Sequence, residues 1–159
     1  MRAAVLTVSD RVSRGSADDL SGGVLAELLG DDGYEVARRV VPDDVKTIAR
    51  TIRELVDEAE LVLTTGGTGV APRDVTPEAT RHVIERDVPG ISEALRRDAA
   101  GKTPHGILSR GVAGIVGSAL VVNLPGSPGG CRDGYAVIRG ALPHALSLLA
   151  ERPTEHAQT

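Results

Sequence analysis

Large aromatic side chains are almost missing from this chain: it has no phenylalanine and no tryptophan, and Tyr34 and Tyr135 are its only tyrosines. Proteins that hold single-stranded nucleic acid stack bases on exposed rings, and this chain has no such platform. A net charge of −4 likewise leaves no broad basic face for a phosphate backbone. No nucleic-acid partner is expected. Cysteine is as scarce. Cys131 stands alone, which excludes an intramolecular disulfide and a thiolate metal cage. The thiol reads as a small buried or half-buried group. Lys46 and Lys102 are the only lysines, and neither follows a GxxxxG loop, so a P-loop is excluded. No GxSxG elbow or Ser-His-Asp pattern is evident. His82, His105, His144 and His156 show no metal-ligand spacing. Long apolar runs are absent too. The run from Ala3 to Val8 is too short for a signal-peptide core, and no small-residue cleavage site follows it. No window approaches the roughly 20 apolar residues of a membrane helix. The expectation is a soluble, cytoplasmic protein with no membrane partner.

What the chain does contain is aliphatic. Its 159 residues fit one domain, and its 41% apolar share, almost wholly Val, Leu, Ile and Ala, suits the faces of an α/β sheet. Ala3 to Ser9 reads as a buried strand, followed by a loop from Asp10 to Ser16. Asp19 to Leu29 has helical spacing and is stopped by Gly30 and Gly33. Glu35 to Val41 is a second strand. Val45 to Ala59 is a helix with Ile48, Ile52, Leu55, Val56 and Ala59 on one face. Leu61 to Thr65 is a third strand. Thr76-Pro77 opens a helix with Thr76 as cap and proline at the first position, running to about Arg86. Another helix covers Ile91 to Ala100, and Gly101 to His105 is a loop. Gly111 to Val116 and Ala119 to Leu124 are strands joined by Gly117-Ser118, the spacing of a two-residue hairpin. Helices over Arg132 to Ile138 and Leu142 to Ala150 follow. The order predicts a three-layer α/β/α sandwich with a mostly parallel mixed sheet that includes one antiparallel hairpin strand. Residues 1–150 form the single domain, and 151–159 read as a flexible tail.

In an open α/β sheet, ligands bind beyond the carboxyl ends of the strands. Here those ends carry Ser9-Asp10, Pro42-Asp43, the turn Gly66-Gly67-Thr68-Gly69 with Asp74 a few residues on, and Asn123-Leu124-Pro125-Gly126-Ser127. Glycines let a ligand approach bare amides, and several N–H groups facing one hollow make an anion site without lysine. Carboxylates gathered on one rim repel each other. A bound Mg²⁺ relieves that repulsion and brings phosphates with it. Each piece also has a plainer role as a cap, a turn or a connector; their agreement on one edge favours nucleotide chemistry. Ser109-Arg110, ahead of the hairpin, reads either as a structural turn or as a hydroxyl and a guanidinium offered to a phosphate.

These residues resemble a known family. Val8-Ser9-Asp10-Arg11, Gly15 through Asp19-Leu20-Ser21-Gly22, Pro42-Asp43, Leu63 to Gly69, Pro72 to Thr80, Pro89-Gly90, Leu108-Ser109-Arg110 and Asn123 to Pro128 are similar to the motifs of the molybdopterin adenylyltransferase (Mog/MoaB-like) family of molybdenum cofactor biosynthesis, and to the related domain of gephyrin and plant molybdenum-insertion proteins. The resemblance covers nearly the whole chain. It implies Mg²⁺-dependent transfer of AMP from ATP to the terminal phosphate of molybdopterin, with release of pyrophosphate. It implies that Asp43 and Asp74 carry catalysis and hold the metal. On the same basis Asp10, Gly66, Gly67, Thr68 and Gly69 bind ATP, and Ser109, Asn123, Pro125, Gly126 and Ser127 bind the pterin. Family members are usually homotrimers, some of the MoaB type are hexamers, and a downstream molybdenum-insertion protein is the implied partner. Members held to be inactive have an altered loop where this chain keeps Pro72 to Pro77, which favours activity here. A non-catalytic molybdopterin-binding scaffold of the same pathway, and a hydrolase using the same rim, are the competing readings.

Overall fold

The structure, a computed structural model, describes residues 1–150. The tail expected from Glu151, with His156 in it, lies outside the described residues. The strands are β1 (Arg2–Val8), β2 (Glu35–Val41), β3 (Leu61–Thr65), β4 (Arg86–Asp87), β5 (Ala113–Val116) and β6 (Ala119–Leu124). The helices are α1 (Asp10–Ser13), α2 (Leu20–Asp31), α3 (Val45–Glu58), α4 (Thr76–Arg81), α5 (Pro89–Lys102), α6 (Pro128–Ile138) and α7 (Leu142–Ala150), with a short 3-10 turn at Pro104–Leu108. Among the described residues no helix is long and apolar enough to cross a membrane.

The strands form one six-stranded sheet in the order β2-β1-β3-β6-β5-β4. β2, β1, β3 and β6 run parallel, and β5 runs antiparallel to both its neighbours. The sheet is therefore mixed and mostly parallel, as expected, with the β5–β6 hairpin turning at Gly117 (φ 57°). Side chains alternate across a strand. Ala3 and Val5 of β1 and Leu61 and Leu63 of β3 join the core beneath α2, α6 and α7. Ala4, Leu6 and Val8 of β1, with Val62 of β3, join a second core beneath α3 and α4. Burial on both faces explains why these strands are continuous apolar runs.

Local chemistry sets the helix ends. Asp44 accepts from the Thr47 N–H at 2.8 Å and starts α3. Asp19 accepts from the Gly22 N–H at 3.0 Å and starts α2, and it also takes the Thr7 hydroxyl at 2.9 Å, tying that helix to β1. Some expectations fail for tertiary reasons. Asp10–Ser13 is one helical turn capped by Ser9, within the expected loop. α4 ends at Arg81, because the following backbone is drawn to the sheet edge: the N–H groups of Glu85 and Val88 donate to Ile115 and Ala113 of β5. Thr76 does not cap α4; it is that helix's first residue, and its hydroxyl donates to the Gly66 carbonyl at 2.8 Å.

Parallel register puts the site in place. Val8 lies beside Val41, and Thr65 beside Leu124, so the carboxyl ends of β1, β2, β3 and β6 share one edge.

Candidate functional site

Two glycine turns meet on that edge. Gly66 (φ 98°) follows β3, and a Cβ there would lie 2.3 Å from the Val8 carbonyl oxygen. Gly67 (φ 66°) is closed in by Thr76, whose Oγ1 would lie 2.4 Å from an added Cβ, and by Asp43 Oδ1 at 3.3 Å. No other residue fits either position. A Cβ on Gly126, in the turn after β6, would lie 3.1 Å from the Gly66 Cα, so the two turns are packed backbone to backbone. Thr65 Oγ1 locks the pair by donating to the Pro125 carbonyl at 2.6 Å. Cys131 is buried beneath them and donates to the same carbonyl at 3.2 Å; burial pushes its thiol pKa up.

The three carboxylates have different environments. The Asp10 N–H donates to Asp43 Oδ2 at 2.9 Å, and the Asp43 N–H donates to Asp10 Oδ1 at 3.0 Å. Arg73 takes the second Asp10 oxygen through Nε at 2.8 Å and Nη2 at 2.5 Å. The Asp43 N–H, with help from Arg73, holds the Asp10 carboxyl below its ordinary range against the opposing effect of burial. Asp43 is shifted the other way. Burial chiefly raises its pKa, and the charges of Asp10 and Asp74 add to the rise. Asp74 Oδ2 turns back to accept from the Ala71 N–H at 2.9 Å and closes its own loop.

The Gly66–Asp74 segment separates two hollows. One is a cavity of about 610 Å³ with mainly apolar walls, reaching from this loop to α5 and α6; Thr68, Gly69, Asp74, Ser109, Asn123, Pro125 and Ser127 line it. The other is an open cleft of about 960 Å³ that holds Asp10, Asp43 and the arginines Arg11, Arg14 and Arg73. The expected single rim is thus two compartments, with the adjacent residues Arg73 and Asp74 lining opposite ones. Asn123 reaches the cavity wall, but its amide is fully engaged inside the protein. Oδ1 accepts from the Val112 N–H at 3.1 Å, and Nδ2 donates to the Thr64 and Thr80 hydroxyls at 2.9 and 3.0 Å. Ser127 Oγ caps α6 by accepting from the Gly130 N–H at 3.0 Å.

Sequence reasoning missed the cavity wall supplied by Leu95, Asp98 and Lys102 of α5. No local signal marks those residues, since helix packing alone brings them to the site. Of the two readings left open for Arg110, the structure shows the structural one: the guanidinium is turned onto the Gly69 carbonyl at 2.7 Å, the Asp74 carbonyl at 2.6 Å and the Glu78 carboxylate.

Among the described residues no group of three or more His, Cys, Asp or Glu side chains is placed to hold a metal ion. Mg²⁺ does not require one, because it binds through one or two carboxylates together with substrate phosphates and water. Asp43 Oδ1, facing the bare backbone of Gly67, fits that kind of site.

Fold and site together define an α/β ligand-binding domain in which an apolar cavity and a charged cleft meet at a glycine turn flanked by carboxylates. The family described as a probable molybdopterin binding domain matches residues 4–144, and the chain belongs to that family. Molybdopterin adenylyltransferase from Escherichia coli K12 is 39% identical over 166 residues, covering 94% of this chain and 85% of that protein. The molybdenum cofactor synthesis protein cinnamon from Drosophila melanogaster is 40% identical over 92% of this chain, which spans only 25% of cinnamon's length. Gephyrin from Dictyostelium discoideum is 39% identical, and the chain spans 22% of it. Among solved structures, the molybdopterin biosynthesis enzyme MoaB from Thermus thermophilus superposes with a TM-score of 0.88 at 46% identity, covering 96% of this chain and 98% of that one. The molybdopterin biosynthesis Mog protein from Mycobacterium ulcerans gives 0.89 at 39% identity, covering 93% and 98%. These relatives belong to molybdenum cofactor biosynthesis.

Proposed function

We propose that this protein transfers AMP from ATP to molybdopterin. The observation that carries the reading is the Gly66–Asp74 segment, which divides an apolar cavity from a charged cleft and has Asp74 on one side and Asp43 on the other. An oxygen of the molybdopterin terminal phosphate attacks the α-phosphorus of ATP. The bond from that phosphorus to the bridging oxygen breaks, and pyrophosphate leaves. The apolar cavity holds the pterin and keeps water from competing for the α-phosphorus. Ser109 and the Pro125-Gly126-Ser127 turn form its seat, while Asn123 holds the floor rather than the ligand. The Gly66 to Gly69 turn receives ATP phosphates. Asp43 and Asp74 would hold a Mg²⁺ ion, whose charge would offset that developing on the transferring group. Asp10 keeps Asp43 in position. We further propose a cytoplasmic homotrimer or hexamer that passes its product to a molybdenum-insertion protein.

The test is an adenylylation assay with purified protein, ATP, Mg²⁺ and molybdopterin, using Asp43→Ala and Asp74→Ala as controls. Pyrophosphate release is expected only with all components and is expected to vanish in both variants. Full activity in both would refute the assigned roles. Molybdopterin binding without AMP transfer would make the protein a scaffold, and ATP consumption without molybdopterin would make it a hydrolase. Light scattering on the eluted protein measures the assembly.

A further inference from the structure

Arg110 sits between the 3-10 turn and β5, in a different part of the chain from the loop it touches. Its backbone N–H donates to the Thr68 carbonyl at 2.8 Å. Its side chain then reaches three points along the opposite loop. Nε donates to the Gly69 carbonyl at 2.7 Å, and Nη2 to the Asp74 carbonyl at 2.6 Å. Nη1 and Nη2 meet the two oxygens of the Glu78 carboxylate, at the start of α4. This contact is the main reason the Glu78 carboxyl lies below its ordinary range. These hydrogen bonds occupy most of a group that has five N–H donors. Glu78 balances its charge. A guanidinium so committed has little left to offer a substrate phosphate.

The contacts bear on the reacting end of the loop. Asp74 has its own carbonyl held by Arg110 and its own carboxylate held by the Ala71 N–H. The loop is closed from inside by Asp74 and pinned from outside by Arg110. The planar fork of arginine spans divergent acceptors in one orientation, which a lysine ammonium on its flexible stem does not do. Ser109, the preceding residue, lines the cavity, so one short segment both walls the cavity and fixes the loop.

We propose that Arg110 is the positioning residue for Asp74. It sets where the Asp74 carboxylate stands relative to the cavity, and it does not contact substrate. This rests on the reading of Asp74 as a carboxylate of the transfer reaction. A misplacement of about 1 Å at a reacting group costs on the order of a hundredfold in rate.

The experiment uses the full chain with Arg110→Ala and Arg110→Lys, read by steady-state AMP transfer and by hydrogen–deuterium exchange of the peptide spanning 66–78. Because the Arg110 N–H to Thr68 bond is in the main chain, both variants keep that tether and are expected to fold, checked by circular dichroism. In both, kcat should fall about a hundredfold, KM for molybdopterin should stay within about threefold of its starting value, and exchange in 66–78 should quicken. Guanidinium ion at sub-denaturing concentration should restore part of the rate and of the protection in Arg110→Ala. The lysine variant, which keeps the charge but not the fork, should behave like the alanine. A kcat within twofold of the unmodified chain would overturn the proposal. So would a raised KM at unchanged kcat, which marks direct substrate contact, or a lost rate with unchanged exchange and no rescue. An unmodified chain that transfers no AMP defeats the functional reading alone, while the exchange and rescue measurements still decide whether Arg110 pins the loop.

Discussion

Asp10 and Asp43 exchange hydrogen bonds: the backbone N–H of each donates to the carboxylate of the other, at 2.9 and 3.0 Å. The exchange clasps the ends of β1 and β2 and fixes one Asp43 oxygen, leaving the other toward Gly67. Asp10 has its second oxygen on Arg73. Asp10 therefore has both carboxylate oxygens engaged within the protein. Asp10→Ala should reduce kcat by tenfold to a hundredfold, on the order of a small misplacement of a reacting group. Steady-state kinetics on Asp10→Ala beside Asp43→Ala measure this, and the Asp10 variant should keep the larger residual rate.

Asp43 should trade stability against activity. Its pKa in the folded protein is raised above the unfolded value, chiefly by burial. A carboxyl shifted upward disfavours the folded state wherever it is ionised in that state, and the penalty disappears below the unfolded value near 3.8. Asparagine still accepts from the Asp10 N–H but carries no charge. Asp43→Asn should thus melt at or above the temperature of the unmodified chain at pH 7, with the difference shrinking as pH falls toward 3.8, while AMP transfer is lost. Thermal melts across that pH range decide it; a large drop in midpoint at pH 7 would refute the burial argument.

On α6, next to the cavity-lining Gly134, Tyr135 is buried and its hydroxyl donates to Asp32 Oδ2 at 2.7 Å. Burial, followed by this bond to Asp32, raises the tyrosine pKa strongly, and the bond is the first cause holding the Asp32 carboxyl below its ordinary value. Tyr135→Phe should lower the thermal midpoint by about 2–4 °C at neutral pH. A depressed carboxyl stabilises the fold above its unfolded pKa and loses that contribution as pH falls through the folded value. The gap between variant and parent should therefore narrow below about pH 3.8. Because Asp32 precedes β2, at the edge of the sheet away from the carboxylates, the rate of AMP transfer should not change.

Gly67 and Gly15 both have left-handed backbones, at φ 66° and 77°. Their surroundings differ. A Cβ at Gly15 meets nothing within 4 Å, whereas one at Gly67 meets Thr76 Oγ1 at 2.4 Å. Gly15→Ala should cost only the backbone strain, about 1–3 kcal/mol. Gly67→Ala should cost more than that and abolish activity, since either Thr76 or the turn has to move. Urea titrations of the two variants compare them directly, and equal losses would refute the close packing around Gly67.

Much of the fold was legible because its causes are local. Glu35–Val41, Leu61–Thr65 and Leu142–Ala150 form the elements their apolar patterns predict, at the same bounds. β4 was not legible. Its two residues, Arg86 and Asp87, are exposed and polar, and only pairing with β5 makes them a strand. In the site, the acidic and glycine-rich strand ends could be assigned to one edge from the parallel order alone.

The sequence by itself determined an α/β domain with Asp10, Asp43, the Gly66–Gly69 turn and Asp74 gathered at one sheet edge, because strand order and turn chemistry are written in short stretches of chain. Only the tertiary structure decided which partners each group meets there. It divided the edge into a cavity and a cleft, engaged the Asn123 amide in the floor, paired Asp10 with Asp43, and chose for Arg110 the structural reading, on the loop that carries Asp74. Those outcomes depend on which donors and acceptors meet across 33 to 59 residues of chain. Hydrogen-bond capacity is finite, so a side chain's role follows from the partners that packing brings to it.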